Sequence, residues 1–244
     1  MRLVLPFILL AAPLAAQDVA PKLGPNAVPI TSDNAYLRSA DAPDYWAFAP
    51  FVKPQFTTSA CSIATVAAAL NGLTGLAPHA EDMVMTQQAL LELTDDATWS
   101  ALSAEGGDGV MFQQLVDYTK LALTKTGMDR TVTALHPAEV TPETTEQVRA
   151  MLTANEASAD NALLVYFNQG VVTGDWDGPH IALIGAYDAE KDAVLILEVD
   201  QEWYIPYWTP VSILMDAMVK PISAEHGPLT GETGGFVMIE AAAV

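Results

Sequence analysis

Residues 54–73 read PQFTTSACSIATVAAALNGL and hold the single cysteine of a 244-residue chain. Ile63, Val66, Ala67 and Leu70 recur at helical spacing, Ser59 or Thr58 can cap the start, and Asn71 with Gly72 signals the stop. Cys61 therefore falls in the first turn of a helix. Backbone N–H groups there have no intrahelical acceptor, and the positive end of the helix dipole favours a thiolate. That is the setting of a nucleophilic cysteine. The competing reading is a small buried residue, because a free cysteine packs like a small hydrophobe.

Downstream the pattern stays helical for a while. Glu81 to Leu93 reads as a helix, Thr94 to Gly109 as a loop closed by Gly106, Gly107 and Gly109, and Val110 to Leu123 as an amphipathic helix. Thr131 to Leu135 suits a short strand. Pro142 to Ala154 suits a helix capped by Thr141, with Val148, Met151 and Leu152 on one face. The second half changes character: Ala162 to Phe167 (ALLVYF), Ile181 to Tyr187 and Ala193 to Val199 (AVLILEV) are strand candidates separated by turn signals, and Phe236 to Glu240 supplies a last one. Helices first and an antiparallel sheet after them is an α+β order, with a cleft between the halves. Tyr45, Trp46 and Phe48 read as a packing patch ahead of the cysteine, and Met111, Met215 and Met218 as core.

Composition narrows the function classes. Thirty acidic against ten basic residues argue against nucleic acid and anionic lipid as partners. Arg2, the apolar run Leu3 to Leu14, and small Ala15 and Ala16 read as a secretory signal over residues 1–16, which leaves one domain at 17–244 that is periplasmic or secreted and has no membrane span of its own. An exported chain with one cysteine cannot form an internal disulfide, so a retained free thiol calls for a reason. There is no D-x-D-x-D-G loop and no cysteine pair for zinc, so no fixed metal or other cofactor is expected. Oligomeric state is open, a homodimer included.

His180 follows the turn Asp177-Gly178-Pro179 and opens the second strand candidate, whose antiparallel neighbour ends in Glu198. With a turn at residues 188–192, the start of one strand lies opposite the end of the next, which makes His180 and Glu198 cross-strand neighbours. A thiol, an imidazole and an acid form the set used for covalent acyl transfer: histidine takes the thiol proton and the acid fixes the ring's tautomer. Gln55, six residues before Cys61, can donate its amide to the oxyanion formed in such an attack. His79, His136 and His226 sit in proline- or glycine-rich loop sequence and compete poorly for the role of base.

These residues resemble the phytochelatin synthases, a papain-like branch of cysteine transferases and peptidases, in their short bacterial one-domain form. The likeness rests on Gln55 with Cys61, on ATVAAALNGL after the cysteine, on GPHIALIGAY followed by DAVLILEV and WYIPYW, on NAYLRSADAPDYWAFAPFVKPQ and on Gly235-Phe236-Val237. The resemblance implies a papain-like fold, with an N-terminal helical lobe packed against a C-terminal antiparallel sheet. It also implies Cys61, His180, Glu198 and Gln55 as catalytic residues acting on a small peptide. That peptide would be glutathione, cleaved between cysteine and glycine through a γ-glutamylcysteinyl thioester that water or a second glutathione takes up, with a metal ion entering only as a thiolate complex of the substrate. The plant-type members' cysteine-rich C-terminal region has no counterpart among these residues, which points to hydrolysis over polymer synthesis.

The chain departs from the family pattern at Ser62 (usually glycine), at Glu198 (usually aspartate, for which Asp200 is the alternative), and at Gln201 and Gly234 (usually basic). Missing guanidinium groups leave the substrate open, since bidentate pairing is a strong way to hold carboxylates. The alternatives are a divergent peptidase acting on another γ-glutamyl or short peptide, and a peptide- or thiol-binding module of low turnover.

Overall fold

A computed structural model describes residues 22–242; the expected signal at 1–16 lies outside them. In chain order the elements are β1 (Val28–Pro29), α1 (Ala35–Ser39), α2 (Pro43–Phe48), α3 (Cys61–Thr74), α4 (Gln87–Thr94), α5 (Ala97–Leu102) and α6 (Phe112–Thr126). Then come β2 (Arg130–Leu135), α7 (Pro142–Glu156), β3 (Ala162–Asn168), α8 (Gln169–Thr173), β4 (Pro179–Asp188), β5 (Ala193–Leu197), β6 (Tyr207–Pro210), α9 (Val211–Val219) and β7 (Gly235–Ala241). All seven strands join one antiparallel sheet in the order β1-β6-β5-β4-β3-β7-β2. The fold is α+β.

The unbroken apolar strings of β3, β4 and β5 reflect a sheet covered on both faces. Leu164, Tyr166, Ile181, Leu183, Leu195 and Leu197 join the core beneath α3, α4 and α6. Their neighbours Leu163, Val165, Phe167, Ala182, Ile184 and Ile196 join a second core under α7 and α9, with Val148, Leu152, Leu214, Met215 and Met218. A strand with both faces buried has no solvent side to alternate toward, so period-two polarity disappears. Each large aliphatic side chain so buried contributes about 1.5–3 kcal/mol. The N-terminal helices thus pack on the sheet as the order of elements implies, and a further helical layer covers its back.

Several local expectations shift for identifiable reasons. Neither Ser59 nor Thr58 caps α3; the N-cap is Ala60, with no side-chain bond. Both hydroxyls are engaged elsewhere: Ser59 Oγ donates to the Gly107 carbonyl at 2.5 Å and Thr58 Oγ1 to Glu105 at 3.1 Å, which ties the cysteine loop to the glycine cluster. Helix α3 also runs past Asn71 and Gly72. The Asn71 amide exchanges hydrogen bonds with the Met85 backbone, and a Cβ at Gly72 would stand 2.0 Å from the Phe48 ring, so both residues serve packing and not termination. Helix α4 starts later than its pattern suggests, where Thr86 accepts from the Ala89 N–H at 3.1 Å. The stretch expected as a loop after Thr94 contains α5, which buries Trp99 fully. Met111 is an exposed N-cap and not core, Trp46 is exposed beside a buried Phe48, and β5 ends at Leu197, two residues early.

One buried acid in this scaffold predicts a pH-dependent stability. Asp44 is fully buried in α2 and accepts from the Asn155 amide; its carboxyl is pushed up to about 8 by burial and by the nearby Glu156 charge, against the Asn155 hydrogen bond. Asp44 Oδ1 has no hydrogen-bond partner, so the neutral carboxyl suits this site better than the carboxylate. Because the folded-state value is raised, the associated stability is complete below the ordinary value of 3.8 and is lost as pH climbs toward 8. Asp44→Asn should therefore flatten that decline and raise the melting temperature at pH 9 by about 5–10 °C, an effect of a few kcal/mol. Melting curves of the two proteins that stay parallel from pH 5 to pH 9 would remove Asp44 as the cause.

Candidate active site

Helix α3 docks on β4 through a buried hydrogen bond: Thr65 Oγ1 donates to the Ile181 carbonyl at 3.0 Å. Thr65 stands one helical turn after Cys61, and Ile181 directly follows His180, so this contact brings the thiol to the imidazole. Cys61 is half-buried and open to a cavity, whereas His180 is 3% exposed and packs edge-on against Phe167. The His180 Nε2 lies 2.6 Å from Glu198 Oε1, which leaves Nδ1 as the ring nitrogen available to Cys61, whose side chain borders the same cavity. Cys61, His180 and Glu198 are thus gathered at one cleft.

Why Glu198 meets the ring, and not Asp200, follows from where the ladder ends. Register pairs Leu183 with Leu197 and Ile184 with Ile196, so a continued ladder would set Asp200 opposite His180. The chain leaves the sheet after Leu197 instead, and the longer Glu198 side chain reaches back. Its Oε1 also accepts the Asp200 N–H at 2.6 Å, and its Oε2 the Gln169 amide at 3.2 Å. Glu198 is fully buried, and desolvation works to raise its pKa; the His180 charge and these hydrogen bonds overcome that and hold it below the ordinary carboxylate value. Burial likewise works to lower the His180 pKa, but the Glu198 charge and the hydrogen bonds to Cys61 and Glu198 carry it well above the ordinary histidine value. Asp200 is raised by desolvation and by the Glu198 charge, against the pull of His180.

Gln55 stands at the same cleft. Its backbone N–H donates to the Val199 carbonyl at 2.8 Å, and its side-chain amide donates to Asp200 Oδ1 at 3.3 Å and to the Thr58 carbonyl at 3.5 Å. Two cavities meet at Cys61. One, of about 390 Å³, is bounded by Gln55, His180, Asp200, Trp203, Lys22 and Asp175. The other, of about 130 Å³, is bounded by the Gly107–Gly109 loop, Tyr166, His226 and Leu229. Trp176 and Thr58 border both. The cleft that the order of elements implies is therefore present beside the cysteine, and it exposes the sulfur to both chambers.

Sequence reasoning missed Gln169, Trp176, Lys22 and Asp175 at this site. No spacing rule marks them, because they arrive through α8, the loop before β4 and the first described residues. His226 reaches the smaller cavity, with Nε2 against the Asp177 carbonyl at 2.7 Å; His136 instead bonds Thr233, and His79 is exposed. Among the described residues no group of three or more His, Cys, Asp or Glu is placed to hold a metal ion, and no helix is long and apolar enough to cross a membrane.

The departures have structural reasons. Ser62 is buried and accepts the Trp99 indole N–H at 3.0 Å, so the hydroxyl that replaces glycine satisfies the large side chain of α5. Gln201 donates to the Glu198 carbonyl at 2.9 Å and closes the turn behind the acid. At Gly234 a Cβ would lie 1.8 Å from the Tyr166 carbonyl oxygen; no arginine fits there without moving β3.

Comparison with known proteins places the chain in a family. The family model described as phytochelatin synthase matches residues 21–227. Curated relatives include "Glutathione gamma-glutamylcysteinyltransferase 3" of Lotus japonicus, 40% identical over 62 residues, 25% of this chain and 13% of that protein. "Glutathione gamma-glutamylcysteinyltransferase 1" of Triticum aestivum is 35% identical over 96 residues, 39% of this chain and 18% of the relative. The matched segments thus span less than a fifth of either relative's length. Since the family match takes in most of the chain, including Cys61, His180 and Glu198, the protein belongs to the phytochelatin synthase family.

Proposed function

We propose that this protein cleaves the amide between cysteine and glycine in glutathione, with Cys61 as nucleophile, in a papain-like manner. The observation that carries the reading is the grouping itself: a half-exposed thiol at a helix start that shares a cavity with a buried imidazole, one nitrogen of which is held by a buried carboxylate. His180 takes the thiol proton and the thiolate attacks the cysteinyl carbonyl carbon. The backbone N–H at the start of α3 steadies the oxyanion, and the Gln55 amide joins it by giving up its long 3.5 Å bond to the Thr58 carbonyl. Collapse of the tetrahedral adduct breaks the C–N bond, His180 gives its proton to the departing glycine amine, and a γ-glutamylcysteinyl thioester remains on Cys61. Water, deprotonated by His180, then releases γ-glutamylcysteine; the amine of a second glutathione would instead extend the chain. A metal ion would enter as a thiolate complex of the substrate, and the expected signal at residues 1–16 would place the reaction in the periplasm or outside the cell.

Glycine release from glutathione by the purified chain tests the substrate. Release that saturates with glutathione supports the reading, and none above the protein-free rate overturns it.

The acid is tested separately. In Glu198→Gln the new amide can face Gln169, whose own Oε1 has no partner and becomes an acceptor when that amide turns over, so shape is kept and charge is lost. Catalysis should fall about 10²- to 10⁴-fold. The alkaline limb of the rate profile should also move to lower pH, because the charge that sustains the His180 proton is gone. Asp200→Asn should leave that limb in place. An unmoved limb in Glu198→Gln, or an equal shift in Asp200→Asn, would take the orienting role away from Glu198. Linkage gives the matching stability window: His180 contributes fully below 6.5 and loses this as pH rises, and Glu198 contributes fully above 4.5 and loses it as pH falls.

A further inference from the structure

Of the residues bounding the two cavities at Cys61, Lys22 alone is a lysine or arginine. Its ammonium lies 2.8 Å from Asp175 Oδ2 and is held over the faces of Trp203 and Tyr204, 4.9 and 4.7 Å from their ring centroids. The Tyr204 hydroxyl donates to the same Asp175 oxygen at 3.0 Å, so both charges of the pair are set in place by the loop that follows Glu198. About half of Lys22 and somewhat less of Asp175 is exposed at the rim of the larger cavity. An ion pair this accessible adds little to stability and opens at small cost to a ligand that brings a matching pair of charges.

A γ-linked glutamyl group carries such a pair on one carbon: its α-ammonium and α-carboxylate both stay free when the side-chain carboxyl forms the amide. An α-linked glutamyl peptide has lost that carboxylate to the backbone. The reach is also suitable, since the cavity is about 9 Å across if taken as round and about 7 Å separates the γ-glutamyl α-carbon from the cysteinyl carbonyl in an extended chain. We infer that Lys22 and Asp175 form the subsite for the γ-glutamyl head of the substrate, with Lys22 taking the α-carboxylate and Asp175 the α-ammonium. The inference rests on the proposed function for the identity of the ligand, and it explains how the chain can hold a substrate carboxylate when positions 201 and 234 are not basic.

Calorimetry on the Cys61→Ala protein with S-methylglutathione as probe separates this from the proposed chemistry, since binding is read without turnover. Lys22→Met, which keeps the apolar stem, and Asp175→Asn should each weaken binding about tenfold, and the α-linked peptide Glu-Cys(S-methyl)-Gly should bind the parent about tenfold more weakly than the γ-linked probe. Melting temperatures of these rim variants within a few degrees of the parent would confirm that folding is intact. Binding that stays within twofold in both variants, equal binding of the two linkages, or no binding of the probe would overturn the subsite. Glycine release by the wild-type chain is scored independently. Release with binding indifferent to Lys22 and Asp175 leaves the chemistry standing and removes the subsite, and charge-dependent binding without release does the reverse.

Discussion

Cys61→Ala protein should release glycine from glutathione at the protein-free rate, a loss of about 10⁵- to 10⁶-fold relative to the unaltered chain. The expectation is this large because the thiol is the atom that forms the new bond, and no other cysteine stands in the chain to substitute for it. Alanine at the first position of α3 is a good helix former and removes only one sulfur from a half-buried position, so the variant should fold as the parent does. Residual glycine release within tenfold of the parent would take Cys61 out of the reaction.

The second largest loss is expected at His180. His180→Gln keeps an N–H donor for Glu198 while removing the group that accepts and returns the proton, and should lower the rate about 10³- to 10⁴-fold. His180→Ala is the less informative variant, because it leaves the fully buried Glu198 without its counter-charge at a cost of about 3–5 kcal/mol and confounds catalysis with folding. A readout free of turnover accompanies the rate. Alkylation of Cys61 by iodoacetamide at pH 7 should slow at least about tenfold in His180→Gln, since the thiolate is the species that reacts. Unchanged alkylation and unchanged turnover would mean that the imidazole does not serve the sulfur.

How much of this was legible in the sequence depends on whether a residue acts through local pattern or through tertiary crossing. The helix at Cys61 and the strand that opens with His180 follow from helical spacing and apolar pattern, hairpin register brings the acidic end of the next strand beside it, and the chain does fold them together. Register alone would have favoured Asp200 over Glu198; the early end of β5 at Leu197 reverses that, and nothing in the run AVLILEV announces it. Ser59 and Thr58 look like caps and serve as ties to the Gly107 loop, because that loop is absent from any reading of the local window. Gln169, Trp176, Lys22 and Asp175 reach the cleft from three places that no motif connects. The sheet's second cover was legible as a need and not as an identity: ALLVYF and AVLIL leave no face for solvent, but nothing local says that α7 and α9 supply the cover.

The most direct test of the account is the covalent state of Cys61 during turnover. Wild-type protein mixed with excess glutathione, quenched in acid within the first turnovers and examined by intact-mass and peptide analysis should carry one γ-glutamylcysteinyl group. That group should sit on the peptide containing Cys61, be removable by hydroxylamine, and be missing from Cys61→Ala. Glycine release at the full rate with the sulfur unmodified at every time sampled, or with the adduct on another residue, would contradict it.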